Sequence, residues 1–586
     1  MERAAKTDAL HLLRNRIDIT TVPFTDRGSR LLVFAERDRP HFYIRLCERW
    51  PKLEDAQGHY RVRPPILSDL ALLNGEGHPL PFTLVTYPHL IEAHTCAGIF
   101  RLMFGGPELL VLLPPPGRVG IRFLAGAEWG QADRRGGRFK GIRNIAYTTN
   151  AHILRNLVMR AEDRWQVELI VEAGEQAAIT LNLTPRLGFD RQVPRGVLER
   201  AEATWRAWFG QTPPVAAACE QTYYYAWWVM RAGLLSTRYH LTREALVPSK
   251  VHYVGVWQWD AFFHALAYRH VDPQLACDQC RVVLDHQRLD GMLPDAVFDE
   301  GTVGRLTHPV HAAVTKPPVA AWVVWRIYEA SGEREFLEEV YEPLCQWNRW
   351  WFTHDIDGDG IPQYDHPFSS GLDDSPLWDD GLPVESPDLA TYLVIDMEHL
   401  AKIAGAIGEI EEARRWMERS AALSHRLVEH FYDEASGVFW AVRPGTHARI
   451  PVLTPFNLYP LWTGRLPGRI AARLVEHLTD SEKFWTRYPI PTVAKSDPTY
   501  NPSQMWRGPT WVNINYIFVD ALRRAGYRDV ARTLADRTLE MVTRGPDARE
   551  YYHPETGESP AGAAPCFGWT AALFVDLAIQ RSRGLV

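Results

Sequence analysis

The spacing of apolar residues divides the chain into two parts with different periods. From residue 17 to about 185, short runs that alternate apolar and polar residues are separated by Gly, Pro and Asp, as in HFYIRL (41–46), GIFRLMF (98–104) and WQVELIVEA (165–173). A period of two predicts strands with one buried face, and turns roughly every ten residues are typical of antiparallel sandwiches. Residues 1–195 are therefore predicted to form an N-terminal antiparallel β-sandwich.

Beyond residue 195 the apolar period becomes 3.6. Residues 196–209 predict a connecting helix, and GQTPP then marks a boundary, so residues 196–214 are interpreted as a linker helix and loop. Over residues 215–586 helical patterns follow one another in pairs: 217–235, 260–270, 273–288, 317–331, 334–353, 387–406, 409–430, 467–478, 511–526, 528–542 and 567–581. Antiparallel helix pairs in this number are compatible with a double-layered ring whose loops form a pocket at one end.

Composition and charge narrow the classes of partner. The chain has 586 residues, 46% of them hydrophobic, and a formal net charge of -7 without a long run of one sign. This charge argues against nucleic acid or an anionic membrane as the main partner. The N-terminus has no secretory pattern, no segment approaches the roughly 20 apolar residues of a membrane span, and seven irregularly spaced cysteines are typical of reduced thiols. We therefore expect a cytoplasmic protein that binds a small molecule.

Aromatic residues are unusually frequent, with 22 Trp, 22 Tyr and 23 Phe, and many stand beside Asp, Arg or Gly, as in WQWD, WRGPTW and FGWT. Flat apolar faces next to hydrogen-bonding groups suit sugar rings, which stack through their C–H faces while their hydroxyls bind polar side chains. The alternative is that tryptophan only fills a large helical core.

Four loop motifs place a carboxylate or guanidinium beside aromatic residues: VWQWDAFFHALA (256–267), SGLDDSPLWDD (370–380), MWRGPTWVNIN (505–515), and EYYHPETGE (550–558) followed by FGWTA. Cleavage of a glycosidic bond needs one protonated carboxylic acid and one ionised carboxylate, and these must come from separate loops. From the residues alone, Asp373 is either such a group or a turn aspartate that caps nearby N–H groups. Glu550 is either the second group or a solvent-facing charge.

In this order, and together with DGMLPD (290–295) and YPIPTVAKSDPTYN (488–501), the motifs resemble glycoside hydrolase family 63 over roughly residues 218–582. That family contains processing and bacterial α-glucosidases and mannosylglycerate or glucosylglycerate hydrolases. The resemblance implies an (α/α)6 barrel over residues 215–586 and an inverting mechanism, with Asp373 as general acid and Glu550 as general base. It further implies an exo-acting α-glycosidase for a small α-linked disaccharide, oligosaccharide or glycoside, with no cofactor required.

Substrate-binding roles follow from the matching positions. Tryptophan offers stacking faces, and charged residues that interrupt apolar segments need partners such as sugar hydroxyls. The expected binding residues are Trp257, Trp259, Asp260, Asp295, Lys316, Trp378, Trp506, Arg507, Trp511 and Trp569.

Three positions depart from the family pattern. Ser369 stands where the family usually has Glu, and Asp374 stands where Asn is usual, which makes the field around Asp373 more negative. Lys316 replaces a common Gln. Its ammonium would either favour an anionic aglycone such as glycerate or pair with a surplus aspartate.

A second acidic loop, DIDGDGIPQ, places Asp355, Asp357 and Asp359 at alternate positions. Oxygen ligands at loop positions 1, 3 and 5 suit calcium, and some members of the family bind calcium in the equivalent loop, but position 12 is His366 instead of a bidentate Glu. A structural calcium site and a metal-free Asp-Gly turn are both open.

The main functional hypothesis is an α-glucosidase-like exo-glycosidase. The nearest alternative is a mannosylglycerate or glucosylglycerate hydrolase with a cationic clamp for the glycerate carboxylate. A phosphorylase in a similar barrel and a non-catalytic sugar-binding relative are further alternatives.

Overall fold

A computed structural model describes residues 8–50, 61–62, 64–186 and 191–586. Its N-terminal part consists of antiparallel strands that form two large sheets. The strands are β1 (Leu31–Ala35), β2 (Phe42–Leu46), β3 (Arg49–Trp50), β4 (Arg61–Val62), β5 (Leu67–Asn74), β6 (Thr83–Tyr87), β7 (Leu90–Thr95), β8 (Gly98–Gly106), β9 (Leu109–Leu113), β10 (Gly117–Ala125), β11 (Trp129–Asp133), β12 (Gly136–Lys140), β13 (Asn144–Thr149), β14 (His152–Ala161), β15 (Arg164–Ala173) and β16 (Ile179–Thr184).

The two sheets pack face to face, as the period-two pattern predicts. One has the order β1-β2-β5-β10-β15-β14 and the other β11-β12-β13-β16-β9-β8-β7-β6, while β3 pairs with β4. Phe123 of the first sheet meets Tyr147 of the second edge to face, with ring centroids 5.8 Å apart. The alternating pattern did not predict strands such as β14. The residues of β14 are mostly exposed, so they form no apolar stripe.

The C-terminal part is helical. Its helices, after the short α1 (Ala9–Leu12) and the connecting α2 (Val197–Gly210), are α3 (Glu220–Ala232), α4 (Gln258–Tyr268), α5 (Pro273–Leu284), α6 (Ala320–Ser331), α7 (Arg334–Phe352), α8 (Pro387–Ile407), α9 (Ile410–Phe431), α10 (Gly468–Leu478), α11 (Val512–Arg524), α12 (Arg528–Arg544) and α13 (Gly568–Ser582). Local chemistry sets their ends: Asp272 caps α5 by accepting from the Leu275 N–H, and left-handed glycines end α6 and α8.

The helices form a closed double ring. The inner ring runs α4, α6, α8, the 3₁₀ helix Pro455–Thr463, α11 and α13, and α13 packs back against α4. The outer layer consists of α3, α5, α7, α9, α10 and α12, each of which packs against the inner ring. This is the (α/α)6 barrel that the resemblance implies, and it confirms the predicted fold class.

The 3₁₀ helix is the inner element that the sequence reading did not predict. It contains Pro455 and Pro460, which argue against a helix, and it begins with a capping box between Thr454 and Asn457. Its residues are buried, including Trp462, which packs edge to face on Trp322. The ring closes through this segment because tertiary packing outweighs its weak local helical preference.

Short strand pairs connect the helices and line one end of the barrel. They are β17 (Leu234–Leu235) with β18 (Ala245–Leu246), β19 (Val256–Trp257) with β20 (Ala296–Phe298) and β21 (Gly301–Val303), β22 (Arg305–Leu306) with β23 (Ala312–Ala313), β24 (Gln363–Tyr364) with β25 (Val384–Glu385), and β26 (Tyr432–Asp433) with β27 (Val438–Phe439).

The sandwich and the barrel share one continuous hydrophobic core. Polar contacts also join them: the Gly28 N–H donates to the Leu234 carbonyl at 3.0 Å, and the buried Lys250 ammonium donates to the Ser29 carbonyl at 2.6 Å. The domain boundaries at residues 195 and 214 stay a prediction.

Candidate active site

A pocket opens at the end of the barrel where the inner helices begin. Its walls come from the segments before α4, α6, α8, α11 and α13 and from the first turns of α4 and α13. It encloses a cavity of about 50 Å³, which we call the inner pocket. Its lining residues are Pro248, Tyr253, Trp257, Trp259, Asp260, Lys316, Gly371, Asp373, Met505, Trp506, Trp511, Glu550, Phe567 and Trp569.

Tryptophan rings form a fixed wall of the inner pocket. Trp506 stacks on Trp511 with centroids 3.7 Å apart and planes inclined by 6°, and the Trp511 Nε1–H donates to the Met505 carbonyl at 2.8 Å. Trp569 meets Trp259 edge to face at 5.3 Å. Rings locked in this way present a preformed apolar surface of the kind that suits a sugar ring.

Gly371 lets the loop that carries Asp373 approach this wall. Its φ of +74° lies in the left-handed region, and a Cβ at this position would lie 2.2 Å from the Trp259 ring. Any side chain would therefore push the loop away from α4. A glycine at position 371 thus sets where Asp373 stands.

Glu550 lies at the bottom of the inner pocket, almost fully buried. Its Oε1 accepts from the Tyr253 hydroxyl at 2.8 Å and its Oε2 from the Ala564 N–H at 3.0 Å. Burial raises its pKa to about 7, a rise that the charge of Asp373 adds to and the two hydrogen bonds oppose. A carboxylate with this pKa is poised to accept a proton near neutrality.

Asp373 stands where the inner pocket meets a larger outer chamber, and it lines both. Its side chain is 31% exposed, and its Oδ1 lies 3.9 Å from the Lys316 ammonium. The carboxyl group thus has access to both compartments. This is the position that a general acid needs in order to reach the bond between a sugar and its leaving group.

Lys316 neutralises the acidic side of the pocket. Its ammonium lies 2.9 Å from Asp295 Oδ1 and donates to the Phe368 carbonyl at 2.6 Å. Burial raises the pKa of Asp260 well above its usual value, and the Lys316 charge opposes that rise. Of the two roles considered for Lys316, the structure shows the salt bridge.

The outer chamber has a cavity volume of about 670 Å³ and shares Tyr253, Trp257, Lys316, Asp373 and Met505 with the inner pocket. Its remaining lining residues are Arg49, His252, Asp295, Ala296, Phe298, Thr302, Val303, Arg305, Leu306, Phe368, Asp374, Gly562 and Ala564.

Arg49 brings the N-terminal domain into this chamber. Its guanidinium lies 4.5 Å from the Phe298 ring centroid, and its Nε donates to Glu300 at 2.7 Å. The turn between β20 and β21 is held to the sandwich beside it, since Arg30 pairs with Asp299 at 2.5 Å. The wall of the chamber is thus a joint product of the two domains.

Two residues predicted to bind substrate are placed elsewhere. Arg507 forms a two-point ion pair with Asp379, and the Trp378 Nε1–H donates to the Leu372 carbonyl at 2.7 Å. In the part of the chain that the structure describes, neither side chain lines the inner pocket or the outer chamber. Both contacts hold the loop that carries Asp373, and a direct role of these two side chains in substrate binding stays a prediction.

Asp374 also holds this loop. Its Oδ1 accepts from the Trp506 N–H at 2.8 Å and its Oδ2 from the Gln504 amide at 3.2 Å. Burial raises the pKa of its carboxyl group above the usual value. The residue that departs from the family's Asn therefore ties the Asp373 loop to the segment that carries Trp506.

The other predicted residues, Trp257, Trp259, Asp260, Trp506, Trp511 and Trp569, line the inner pocket as expected, and Asp295 lines the outer chamber. Sequence reasoning missed Tyr253, Met505 and Phe567 in the inner pocket and Arg49 and Arg305 in the outer one. Met505 and Phe567 belong to motifs already identified, and Tyr253 lies three residues before one. The sequence around Arg49 does not indicate that this residue faces the site, because Arg49 belongs to a different domain.

The three aspartates of the predicted calcium loop lie together. Both oxygens of Asp355 accept from backbone N–H groups, of Gly358 at 2.9 Å and Gly360 at 2.7 Å, and Asp359 Oδ1 accepts from the Ile361 N–H at 2.8 Å. These bonds close the turn on itself. Calcium at the three aspartates stays a prediction.

Within the described residues, the structure contains no helix with the length and apolar character of a membrane span.

Several characterised proteins are similar to the barrel part of the chain. The mannosylglycerate hydrolase of Thermus thermophilus is 27% identical over 402 residues, which cover 56% of this chain and 95% of that protein. The mannosylglycerate hydrolase MGH1 of Selaginella moellendorffii is 25% identical over 404 residues (56% and 80%). The glucosylglycerate hydrolase of Mycolicibacterium hassiacum is 25% identical over 413 residues (55% and 92%).

Solved structures of glycoside hydrolases are also similar to this chain. The family 63 mannosylglycerate hydrolase of Thermus thermophilus in complex with Tris and D-glycerate matches with a TM-score of 0.51 and 25% identity, over 57% of this chain and 95% of that one. A bacterial glucoamylase complexed with acarbose has a TM-score of 0.63 at 11% identity, over 96% of this chain and 94% of that one, which supports the whole two-domain fold.

The model of the mannosylglycerate hydrolase MGH1-like glycoside hydrolase domain matches residues 253–570, more than half of the chain. The predicted resemblance is therefore confirmed, and so is the prediction of a glycoside hydrolase. The chain belongs to this MGH1-like group of glycoside hydrolase family 63.

Proposed function

We propose that this enzyme hydrolyses the α-glycosidic bond between a terminal hexose and a small aglycone that carries a carboxylate, as in mannosylglycerate or glucosylglycerate. The observation that carries the proposal is the outer chamber beside Asp373, into which Arg49 and Arg305 bring two guanidinium groups. Guanidinium binds carboxylate through paired, charge-assisted hydrogen bonds.

In this proposal the hexose occupies the inner pocket against the tryptophan wall. Asp373 gives its proton to the glycosidic oxygen as the bond from that oxygen to the anomeric carbon breaks. Glu550 takes a proton from a water molecule whose oxygen attacks the anomeric carbon from the opposite side. The products are a free hexose of inverted configuration and the aglycone, whose former glycosidic oxygen is now a hydroxyl group.

The positions of the two carboxyl groups support these roles. Glu550 is buried and held by Tyr253 and Ala564, so its orientation is fixed before substrate binds. Asp373 is partly exposed at the boundary with the outer chamber, on the side where a leaving group would stand.

The arginines that line the outer chamber support an anionic aglycone. Lys316 is already paired with Asp295, so its charge is largely used within the protein. Arg49 faces the same chamber from the sandwich and shares its charge with Glu300, whereas Arg305 is exposed on the short hairpin β22–β23 and is the cation that a carboxylate can reach most directly. The names of the relatives agree with a glycerate aglycone better than with the general α-glucosidase that was the main hypothesis.

The decisive experiment is a substrate panel followed by NMR. Mannosylglycerate, glucosylglycerate, kojibiose, nigerose, maltose and trehalose are incubated with the full chain, and both the released sugar and its first-formed anomer are recorded. We expect release from one or both glycosylglycerates, with the β-anomer appearing first. Release only from the neutral disaccharides would reject the anionic aglycone, and a first-formed α-anomer would reject inversion.

A further inference from the structure

A cluster of histidine and carboxylate side chains lies outside the pocket, at the base of the loop that carries Asp373. Asp359 belongs to the turn after α7, Glu385 to β25, His430 to the last turn of α9, and His447 to the turn between residues 443 and 449. One ligand atom from each of the four lies within 4.8 Å of the others. Four segments distant in sequence therefore converge on one point.

The distances between the histidines and Asp359 fit a metal site better than hydrogen bonds. His430 Nδ1 lies 3.4 Å from Asp359 Oδ2, and His447 Nε2 lies 3.6 Å from the same oxygen and 3.5 Å from Asp357 Oδ2. These separations exceed those of good N–H···O bonds. With bonds of about 2.0–2.1 Å, the ligand atoms of a tetrahedral zinc ion stand roughly 3.3–3.4 Å apart.

The hydrogen bonds that do form leave acceptors unsatisfied. Glu385 is fully buried, yet within the part of the chain that the structure describes its Oε1 has no hydrogen-bond partner, and the same holds for Asp359 Oδ2. Buried carboxylate oxygens are costly without a donor or a cation. Asp359 Oδ2 lies 3.4 Å from His430 Nδ1 and 3.6 Å from His447 Nε2, so a cation bound to these three atoms would satisfy it.

Glu385 also sets the chemistry of His430. Its Oε2 lies 2.6 Å from His430 Nε2. A ring N–H that donates at Nε2 leaves the lone pair of Nδ1 directed at Asp359. Metal-binding histidines are oriented by a carboxylate in this way.

We propose that Asp359, His430 and His447 bind a divalent transition metal of the Zn²⁺ class, with Glu385 orienting the His430 ring. Imidazole nitrogens favour zinc and its neighbours, whereas calcium prefers oxygen ligands alone. The site is therefore distinct in its ligands from the calcium site predicted at Asp355, Asp357 and Asp359, although it shares Asp359. The proposal does not depend on the substrate of the enzyme.

The place of the site gives it a structural role. Strand β24 follows Asp359 and pairs with β25 in the register Gln363↔Glu385, so residues 365–383, including Asp373, form a loop closed at this pair. A metal bound to Asp359 and His430 would join the two ends of that loop, because His430 is itself bonded to Glu385. The histidines would tie the same point to α9 and to the neighbouring turn. Metal binding would stabilise the folded enzyme by a free energy that rises with the logarithm of the affinity.

The test uses the full chain purified without a histidine tag, with Zn²⁺ and Co²⁺ as probes. We expect one Zn²⁺ per chain by elemental analysis after gel filtration, a lower melting temperature after EDTA treatment, and its recovery on adding Zn²⁺. Co²⁺ should give the visible absorption bands of a four-coordinate nitrogen and oxygen site.

Two variants and a control isolate the ligands. His447→Gln removes a half-exposed ligand without disturbing the core, and we expect Zn²⁺ to bind at least about 100-fold more weakly. Glu385→Gln should weaken binding by about 10- to 100-fold, as for other carboxylates that orient histidine ligands. His425→Gln is the control: it changes an exposed histidine of α9, the helix that carries His430. His425 pairs with Glu429, so this variant should bind Zn²⁺ like the unaltered chain.

Several results would overturn the proposal. One is the absence of stoichiometric Zn²⁺ or Co²⁺ binding in the unaltered chain. Another is equal affinity in His447→Gln and His425→Gln. Retention of Ca²⁺ in place of Zn²⁺, unaffected by the histidine substitutions, would show an oxygen-only site and would also refute it.

Discussion

The inner pocket and the outer chamber are built in different ways. All but one of the residues around the inner pocket fall within residues 253–570, the part that matches the family model, and the exception is Pro248. Its walls are aromatic rings and three carboxyl groups, which belong to Asp260, Asp373 and Glu550. The outer chamber takes Arg49 from the sandwich, outside the matched region, and Arg305 from an exposed hairpin.

We infer from this difference that bond cleavage depends on the inner pocket and selectivity for the aglycone on the outer chamber. A rigid pocket formed within the barrel can carry the same bond-breaking step in many relatives. A chamber completed by a second domain can change its charge and shape without disturbing that step. We infer that the sandwich of this enzyme takes part in aglycone recognition, and the five predictions below test that division.

Loss of either carboxyl group should have the largest effect. We expect Asp373→Asn and Glu550→Gln each to lower kcat by about 10²- to 10⁴-fold, the range typical of general acid and base catalysis, with little change in KM. The measurement is steady-state hydrolysis of the best glycosylglycerate. Asp380→Asn, an exposed carboxylate of the same loop, is the matched control and should retain most activity. Substantial phosphate-dependent activity in Glu550→Gln would contradict the hydrolytic role and indicate a phosphorylase.

Arg49→Met should change selectivity more than rate. A hydrogen-bonded charge is worth about 1.5–3 kcal/mol, so we expect kcat/KM for glucosylglycerate to fall by about 10- to 100-fold, mostly through KM. Glucosylglycerol has a neutral CH₂OH in place of the carboxylate and should be hydrolysed at an unchanged rate. Equal losses on both substrates would mean that Arg49 only supports the wall. Failure of the unaltered enzyme on glucosylglycerate would instead count against the proposed substrate.

Gly371→Ala should disturb the inner pocket through packing. The added Cβ would meet the Trp259 ring and would also occupy a left-handed conformation, each at a cost on the order of 1–3 kcal/mol. Gly381→Ala is the control, because it has a φ of +94° but no atom within 4 Å of its Cβ. We expect a clearly lower melting temperature and kcat for Gly371→Ala than for Gly381→Ala. Equal values would show that the close approach to Trp259 is unimportant.

The pH dependence of kcat/KM should reflect the ionisation of Glu550. With its pKa raised to about 7, the general base is ionised above that pH and protonated below it, so kcat/KM should fall as the pH drops below about 7. Tyr253→Phe removes a hydrogen bond that lowers this pKa, so the acidic limb should move to higher pH. A limb that stays in place or moves to lower pH would exclude Glu550 as its source.

Asp374→Asn should have the smallest effect. An amide oxygen can still accept from the Trp506 N–H, so we expect kcat to stay within about threefold of the unaltered enzyme, a change of less than 1 kcal/mol. Asp374→Ala, which loses both acceptors, should be less stable by about 1 kcal/mol for each hydrogen bond. A large loss of kcat in Asp374→Asn would mean that the negative charge itself tunes Asp373.

Much of the inner pocket could be predicted because its residues lie in local motifs. Trp257, Trp259 and Asp260 adjoin one another at the start of α4, and Trp506 and Trp511 precede α11. Arg507 lies among them in sequence but faces Asp379 instead of the pocket. Sequence spacing places a residue on a loop, whereas the direction of its side chain depends on neighbours that are far away along the chain.

The sequence by itself determined the two-part fold and the helices of the barrel, because periods of 2.0 and 3.6 reflect which faces each element must bury. The double ring and the predicted catalytic roles of Asp373 and Glu550 followed from the resemblance of the ordered motifs. Only the tertiary structure decided that Pro455–Thr463 closes the inner ring, that Arg49 reaches the outer chamber, and that two histidines join Asp359 and Glu385. These features depend on contacts between segments distant in sequence, and such contacts leave no periodic or local pattern behind.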